Sequence, residues 1–186
     1  MKKKKILLIT GSSGSGKSTM AQTLEKAGIA RRVRTATTRK KRQDEQNGVD
    51  YWFLSKDDFV HMDFIEKSSH YNECYGVPRF ALDDALANCD TVAVVLDRQG
   101  VRHFSELFHD HPHYQLVVIY LMAESPAQQL ERLVKRGDSE KQAANRLKAA
   151  AENNEYEPPE QTDMVLNVLH DKEWQKKLED FLQALA

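Results

Sequence analysis

One glycine- and serine-rich stretch at residues 11–18, Gly-Ser-Ser-Gly-Ser-Gly-Lys-Ser, constrains this chain more than any other feature. It fits the pattern G-x-x-x-x-G-K-[S/T], and it lies between an apolar run at residues 6–9 and a helical pattern that extends to about Ala27. A strand, this loop and a helix in that order are the setting in which the pattern forms a P-loop. Its glycines let backbone N–H groups converge on phosphate oxygens, and the helix N-terminus adds partial positive charge. The sequence therefore predicts a site for the phosphates of a nucleoside triphosphate.

Two side chains of this loop have predicted roles of their own. Lys17 is expected to reach the β- and γ-phosphates, and Ser18 is expected to offer its hydroxyl to a Mg²⁺ ion. The other predicted ligands of the triphosphate are Gly11, Ser12, Ser13, Gly14, Ser15, Gly16 and Thr19. The alternative is a plain turn ahead of an ordinary helix, and the strand–loop–helix context disfavours it. A P-loop alone does not identify the reaction, because GTPases, ATPases and small-molecule kinases share it.

The apolar runs predict the fold class. Four short runs contain almost no polar residue and do not alternate, which is typical of strands that are buried on both faces of a parallel sheet. They span residues 6–9, 92–96, 116–121 and 164–169. Between them are helical patterns, with Ser125-Pro126 and Ser139 as start signals and Asp171 before the last helix. We therefore expect an α/β fold whose parallel sheet is flanked by helices.

Two interruptions of this pattern predict the domain organisation. Residues 34–86 are polar, rich in aromatic side chains and broken by Asn47-Gly48 and Gly76-Val77-Pro78, so they read as an insertion in a βαβ framework. A second break at Arg136-Gly137-Asp138 predicts a small lid over about residues 136–142. The expected organisation is one domain over residues 1–186, with its core at 1–33 and 87–186 and with two mobile flaps.

Bulk properties exclude several classes of partner. The net charge is −1, which gives no indication of a nucleic-acid partner. Cys74 and Cys89 lack any CxxC spacing and are expected to be free thiols in a reducing compartment. The apolar run after the lysines at residues 2–5 is too short for a signal peptide, and no run reaches membrane-spanning length. We expect a cytoplasmic protein without a membrane partner, either a monomer or a homodimer.

The inserted segment contains residue types that bind a phosphorylated base. Arg39 and Arg42 lie close together after a run of threonines, and an arginine fork can bind phosphate through two hydrogen bonds. Glu66 follows further along the chain. A carboxylate can accept hydrogen bonds from the N1–H and the 2-amino group of guanine, and adenine offers no such pair. A buried glutamate with this task would discriminate, because the wrong base leaves it unpaired.

Taken in order, these motifs resemble those of the guanylate kinase family over nearly the whole chain. The family pattern is a GxSGxGKST P-loop followed by STTRxPRxxE, GxDYxF, FxE, YYG, IDxQG and RLxxRG segments. The matching stretches here are residues 11–19, 35–45, 48–53, 64–66, 74–76, 96–100 and 131–137. The resemblance implies a P-loop kinase fold in which MgATP is the phosphoryl donor and GMP is the acceptor.

The resemblance also implies a role for each matching residue. Thr35 and Glu66 would recognise guanine, and Asp97 would support either the base or the water shell of the metal. The residues implied to hold the GMP phosphate are Arg39, Arg42, Tyr51 and Tyr75. The residues implied to close on the transferred phosphoryl group from the lid and the following helix are Arg132, Arg136 and Arg146.

Departures from the family pattern leave alternatives open. Val77 stands where the family usually carries serine or threonine, whose hydroxyl is expected near guanine O6, and Val95 occupies an often acidic position. Asp97 could instead cap a helix, and the basic run at residues 39–42 could be solvated surface. The rival functions are a related kinase for another phosphorylated acceptor and a non-catalytic interaction module. The intact Lys17 argues against the second.

Overall fold

The computed structural model describes residues 3–70, 72–123 and 125–185, which form nine strands and seven helices within those ranges. In chain order they are β1 (Lys4–Thr10), α1 (Lys17–Lys26), β2 (Arg31–Arg32), β3 (Ala36–Thr37), β4 (Trp52–Phe53), α2 (Lys56–His61), β5 (Phe64–His70), β6 (Glu73–Pro78), α3 (Arg79–Asn88), β7 (Thr91–Val95), α4 (Arg98–Leu107), β8 (Tyr114–Leu121), α5 (Pro126–Lys135), α6 (Glu140–Glu152), β9 (Met164–Leu166) and α7 (Trp174–Ala184).

A five-stranded sheet in the order β2-β7-β1-β8-β9 forms the centre of the fold, and every pair in it is parallel. Ile6 and Leu8 of β1 pack into an apolar cluster with α3 and α4, whereas Leu7 and Ile9 pack into a second cluster with α1 and α7. Because both faces of the sheet are buried, its strands need apolar side chains at successive positions. The predicted parallel sheet flanked by helices is confirmed.

A second sheet arises from the polar segment between β2 and β7. Its order is β4-β3-β6-β5; β3 pairs parallel with β4, and β6 pairs antiparallel with both β3 and β5. Backbones approach closely at Gly76, where a Cβ atom would lie 2.9 Å from the carbonyl oxygen of Glu66 and 2.7 Å from the ring of Phe64. Only glycine allows this approach without a shift of the neighbouring strand.

Two predicted helix starts are confirmed by their capping hydrogen bonds. At the start of α5 the hydroxyl of Ser125 accepts from the N–H of Gln128, and the side chain of Gln128 accepts from the N–H of Ser125. Ser139 and Gln142 repeat this reciprocal pair at the start of α6. Each of these reciprocal pairs, known as a capping box, satisfies N–H groups that have no partner within the first turn of the helix.

The chain after β8 differs from the prediction in two places. The strand predicted over residues 164–169 ends at Leu166, because the carbonyl of Asn167 accepts from the N–H of Asp171 at 2.8 Å and turns the chain. The last helix begins at Trp174 rather than directly after Asp171. Asp171 instead accepts a hydrogen bond from the N–H of Glu173 at 3.0 Å, which stabilises the turn before the helix.

No helix within the described ranges is both long and apolar enough to cross a membrane.

Candidate active site

The two sheets and the α5–α6 region enclose a cleft of about 1010 Å³ at the carboxyl end of β1. The predicted site residues that line it are Gly11, Ser13, Gly14, Gly16, Lys17, Ser18, Thr19, Thr35, Arg39, Arg42, Tyr51, Glu66, Tyr75, Asp97, Arg132, Arg136 and Arg146. Ser12 and Ser15 are different, since both are fully buried and neither lines the cleft. The carboxyl end of a parallel sheet, where the chain leaves neighbouring strands on different sides, is the usual place for ligands in such folds.

The P-loop follows β1 directly and leads into α1. Gly11, Gly14 and Gly16 have φ angles of 140°, 86° and 96°, a region that side chains rarely tolerate. At Gly11 a Cβ atom would also lie 2.6 Å from the carbonyl oxygen of Leu121, at the end of the neighbouring strand β8. The glycines therefore allow the loop to curl tightly against the end of β8.

Lys17, the first residue of α1, folds back over this loop. Its Nζ atom donates to the carbonyl oxygens of Gly11 and Ser12, the latter at 2.8 Å. Burial lowers the pKa of Lys17 to about 8; the charge of Glu155 opposes this effect, and the charge of Arg136 adds to it. Backbone carbonyls thus hold the ammonium at a buried position, where its positive charge is unfavourable unless an anion lies beside it.

A buried chain of hydrogen bonds ties α5 to the P-loop. The Nε2 atom of Gln129 donates to the hydroxyl of Ser12 at 2.9 Å, and its Oε1 atom accepts from the hydroxyl of Tyr156 at 2.9 Å. Gln129 and Ser12 are fully buried. The helix that carries Arg132 and ends directly before Arg136 is therefore fixed against the loop that carries Lys17. Sequence reasoning missed Gln129, because a glutamine in a polar helix gives no signal of burial.

Replacing Gln129 with leucine is expected to lower the free energy of unfolding by about 1–3 kcal/mol, because the buried hydroxyl of Ser12 and the half-buried hydroxyl of Tyr156 lose their partner. Tyr156→Phe removes only the outer hydrogen bond and should cost about 1 kcal/mol. Chemical denaturation measures both values. Gln183→Leu, at an exposed position of α7, is the matched control and should change stability by less than about 0.5 kcal/mol. Equal stability of the Gln129 and Gln183 variants would contradict a structural role for the buried chain.

The arginines of the inserted segment are held by a carboxylate. The Nη2 atom of Arg39 lies 2.7 Å from Oε1 of Glu45, whose other oxygen accepts from the N–H of Arg42 at 2.8 Å. The guanidinium of Arg39 also lies 5.6 Å from the ring centroids of both Tyr51 and Phe53. Burial opposes the charge of Arg39, but the hydrogen bond and charge of Glu45 raise its pKa. Arg39 is therefore a fixed, fully charged group.

A second carboxylate connects the two sides of the cleft. Asp138, in the loop between α5 and α6, lies 3.3 Å from Nη2 of Arg42 and 3.3 Å from Nη1 of Arg146. Desolvation and the neighbouring charge of Arg42 lower the pKa of Arg136, which nevertheless stays a cation. This crowding of arginines produces a positive region that favours an anionic ligand.

Glu66 of β5 is buried, with 4% of its surface exposed. Gly100, in the first turn of α4, lies so close that a Cβ atom there would be 3.3 Å from Cδ of Glu66. Asp97 caps the same helix by accepting from the N–H of Gly100 at 2.8 Å. The capping role that was left open for Asp97 is therefore real, and Asp97 also lines the cleft. The start of α4 therefore lies beside both carboxylates, with Asp97 as its cap and Glu66 contributed by β5.

Arg32 and Ser68 also line the cleft, although no sequence motif includes them. Arg32 lies on the edge strand β2 with 6% of its surface exposed, and its guanidinium donates to the carbonyl of Asp50. Burial is the main cause that lowers its pKa, and the hydroxyl of Tyr51 opposes this effect. Arg32 therefore anchors the loop that carries Tyr51. In the sequence, only the two adjacent arginines at residues 31 and 32 could have indicated that Arg32 belongs to the site.

The cysteines agree with the expectation from their spacing. Cys74 and Cys89 are free thiols. Within the described ranges, no group of three or more His, Cys, Asp or Glu side chains is arranged to hold a metal ion. A metal at this cleft would therefore need ligands other than a cluster of such side chains.

Comparisons with known proteins agree with this geometry. The family model described as guanylate kinase matches residues 3–185. The guanylate kinase of Anaplasma phagocytophilum (strain HZ) is 33% identical over 154 residues, which cover 78% of this chain and 71% of that protein. The guanylate kinase of Clostridioides difficile (strain 630) is 31% identical over 158 residues, covering 82% and 75%. A crystal structure of guanylate kinase from Anaplasma phagocytophilum matches with a TM-score of 0.66 at 25% identity, covering 99% of this chain and 88% of that one. With this breadth of similarity and a P-loop that shares its cleft with a buried glutamate and paired arginines, the chain belongs to the guanylate kinase family.

Proposed function

We propose that this protein transfers the γ-phosphoryl group of MgATP to GMP, giving ADP and GDP. The observation that carries the proposal is that Lys17 of the P-loop and the buried Glu66 line the same cleft, together with Arg39 and Arg42. The cleft volume of about 1010 Å³ lies at the upper end of the range for small-molecule pockets. It can hold a donor and an acceptor nucleotide together.

The donor half of the site is the P-loop. Its amides and the start of α1 bind the phosphates, and Lys17 neutralises charge that develops on the transferred group. The hydroxyl of Ser18 and the carboxylate of Asp97, which both line the cleft, are hard oxygen ligands of the kind that suits Mg²⁺. When bound with ATP, Mg²⁺ neutralises charge on the phosphate oxygens.

The acceptor half combines phosphate and base recognition. Arg39 and Arg42, already oriented by Glu45, bind the GMP phosphate with Tyr51 and Tyr75. Glu66 accepts hydrogen bonds from the N1–H and the 2-amino group of guanine. Because the carboxylate is buried, a base without these donors excludes water from it and gives it no hydrogen bonds in return, and that cost supplies the selectivity.

The transfer itself needs no covalent intermediate and no general base, because the attacking phosphate oxygen is already ionised. Catalysis consists of positioning the two nucleotides and neutralising the charge on the transferred phosphoryl group. Lys17 and three arginines of the lid and its flanking helices contribute this charge: Arg132, Arg136 and Arg146. Closure of the region around Asp138 excludes water, which would otherwise hydrolyse ATP.

A coupled assay of ADP release with a panel of acceptors tests the proposal. GMP is the expected best acceptor among GMP, IMP, AMP, CMP, UMP and several sugar phosphates. Absence of GMP-dependent turnover contradicts the proposal, and a better sugar phosphate would support the rival kinase. If no acceptor gives turnover, calorimetry of ATP binding decides whether the chain is a non-catalytic module.

Proton uptake on ATP binding follows from the lowered pKa of Lys17. The pKa is about 8 without an anion beside the ammonium, and bound phosphates raise it. At about pH 9 the free lysine is mostly neutral, so binding should take up nearly one proton, whereas at about pH 7 it should take up few. Titration calorimetry in buffers of different ionisation enthalpy measures the uptake. Lys17→Met corrects for protons on ATP itself, and an uptake that persists in this variant would contradict the assignment.

A further inference from the structure

The pairing of β5 with β6 places four side chains on one face of the second sheet. Glu66 lies opposite Val77, and Ser68 lies opposite Tyr75. Directly opposed residues share a face, and so do residues two apart along a strand. Glu66, Ser68 and Tyr75 all line the cleft, whereas Val77 does not. The wall that carries Glu66 therefore includes a hydroxyl on the same strand.

The chemistry of guanine requires a donor beside Glu66. The base presents two donors, N1–H and the 2-amino group, next to the acceptor O6. An ionised glutamate accepts hydrogen bonds only, so it cannot pair with O6. A hydroxyl beside it can donate to O6, and it can rotate to find the right direction.

The side chain opposite Glu66 cannot supply this donor. Val77 is fully buried and packs in the apolar cluster that includes Leu82, Val94 and Val101. Replacing it with a hydroxyl-bearing residue would place a polar group among these apolar side chains. The position at which the family resemblance implies a serine or threonine is thus part of the core in this chain.

Ser68 is placed to take over the donor role. It is 9% exposed, lines the cleft and lies on the same face as Glu66, about 7 Å away along the strand. Side chains at this spacing can contact neighbouring atoms along the edge of one base. We propose that Ser68 is a specificity-determining residue that donates a hydrogen bond to guanine O6 beside Glu66, in place of a hydroxyl at position 77. The inference rests on the proposed phosphorylation of GMP.

Substrate analogues allow a direct test with the full chain. Ser68→Ala should lower kcat/KM for GMP by about 3- to 30-fold, the effect of one lost hydrogen bond. In 6-thio-GMP a weak sulfur acceptor replaces O6, while N1–H and the 2-amino group remain. The same substitution should therefore change kcat/KM for 6-thio-GMP by less than about twofold, since the contact is already lost in the substrate.

Three outcomes would overturn the inference. An unchanged kcat/KM for GMP means that Ser68 makes no contact with the acceptor. An equal loss for GMP and 6-thio-GMP means that Ser68 acts elsewhere, for instance on the phosphate near Tyr75. Ser68→Thr keeps the hydroxyl and should therefore retain most of the kcat/KM for GMP. If this variant keeps its thermal midpoint but loses as much kcat/KM as Ser68→Ala, the hydroxyl is not the feature that acts on the base.

Ser69→Ala is the matched control. Ser69 is exposed on the other face of β5, and its hydroxyl lies 3.6 Å from Sγ of Cys74. Its removal should leave both kcat/KM values unchanged. If the unmodified protein shows no turnover with GMP at all, the proposed function fails, and this result is distinct from every outcome for Ser68.

Discussion

Replacing Lys17 with methionine is expected to reduce kcat for GMP phosphorylation by about 10³-fold. The Nζ atom is held over the P-loop by the carbonyls of Gly11 and Ser12, where a bound triphosphate meets a cation that is already in position. Methionine is slightly shorter and similarly flexible, and it removes both the charge of the ammonium and its hydrogen bonds to the loop carbonyls. Because the charge acts on the transferred phosphoryl group, the loss should appear in kcat more than in the KM for GMP.

Stability separates this functional loss from misfolding. The pKa of Lys17 in the folded protein, about 8, lies below its ordinary value of 10.5. The buried charge therefore costs stability below pH 8, and the cost disappears as the pH rises through the interval between these two values. Lys17→Met should keep or raise the midpoint of thermal unfolding at neutral pH. Lys26→Met, at the exposed end of α1, should match the unmodified protein in both measurements. Near-normal kcat in Lys17→Met would refute the assigned role.

The fold was predictable where a local sequence pattern is compatible with only one kind of secondary structure. The runs at residues 6–9, 92–96 and 116–121 are apolar because their strands are buried on both faces of the sheet. The starts of α5 and α6 were predictable because the partners in a capping box are three residues apart. In both cases the physical cause acts over a few neighbouring residues, so the sequence displays it.

Short strands and long-range contacts were not predictable for the opposite reason. The two residues of β2 are both arginines, and they form a strand only because β7 lies beside them. The strands β3 and β4 are also two residues long. Gln129 bonds to Ser12 across 117 positions, and Arg42 bonds to Asp138 across 96. No periodicity or local motif records contacts that depend on how distant elements pack.

The same distinction applies within the site. The P-loop residues are neighbours in sequence, so their motif predicts the geometry around Lys17. The wall of the cleft that carries Glu66 depends on the register between β5 and β6. That register places Ser68 at the cleft, whereas Val77 packs in the core. The valine at position 77, taken alone, therefore predicts weaker recognition of the base. The proposed hydrogen bond from Ser68 on the neighbouring strand would offset this loss.

Replacing Glu66 with glutamine is expected to lower kcat/KM for GMP by about 10²- to 10⁴-fold. The carboxylate is buried, and it offers two acceptor oxygens to the two donors of guanine. Glutamine keeps the size of the side chain but turns one acceptor into a donor, which then faces another donor without water to separate them. Arg39 and Arg42 remain in place, so the phosphate should still bind.

The selectivity for guanine tests this reasoning more strictly than the rate does. IMP lacks the 2-amino group and offers only N1–H, so one acceptor oxygen of glutamine is enough for it. The ratio of kcat/KM for GMP to that for IMP should therefore fall in Glu66→Gln by about tenfold or more. Glu106→Gln, at an exposed position of α4, controls for the loss of a negative charge and should leave the ratio unchanged. An equal loss for GMP and IMP would show that Glu66 supports the fold or the phosphate and does not read the 2-amino group.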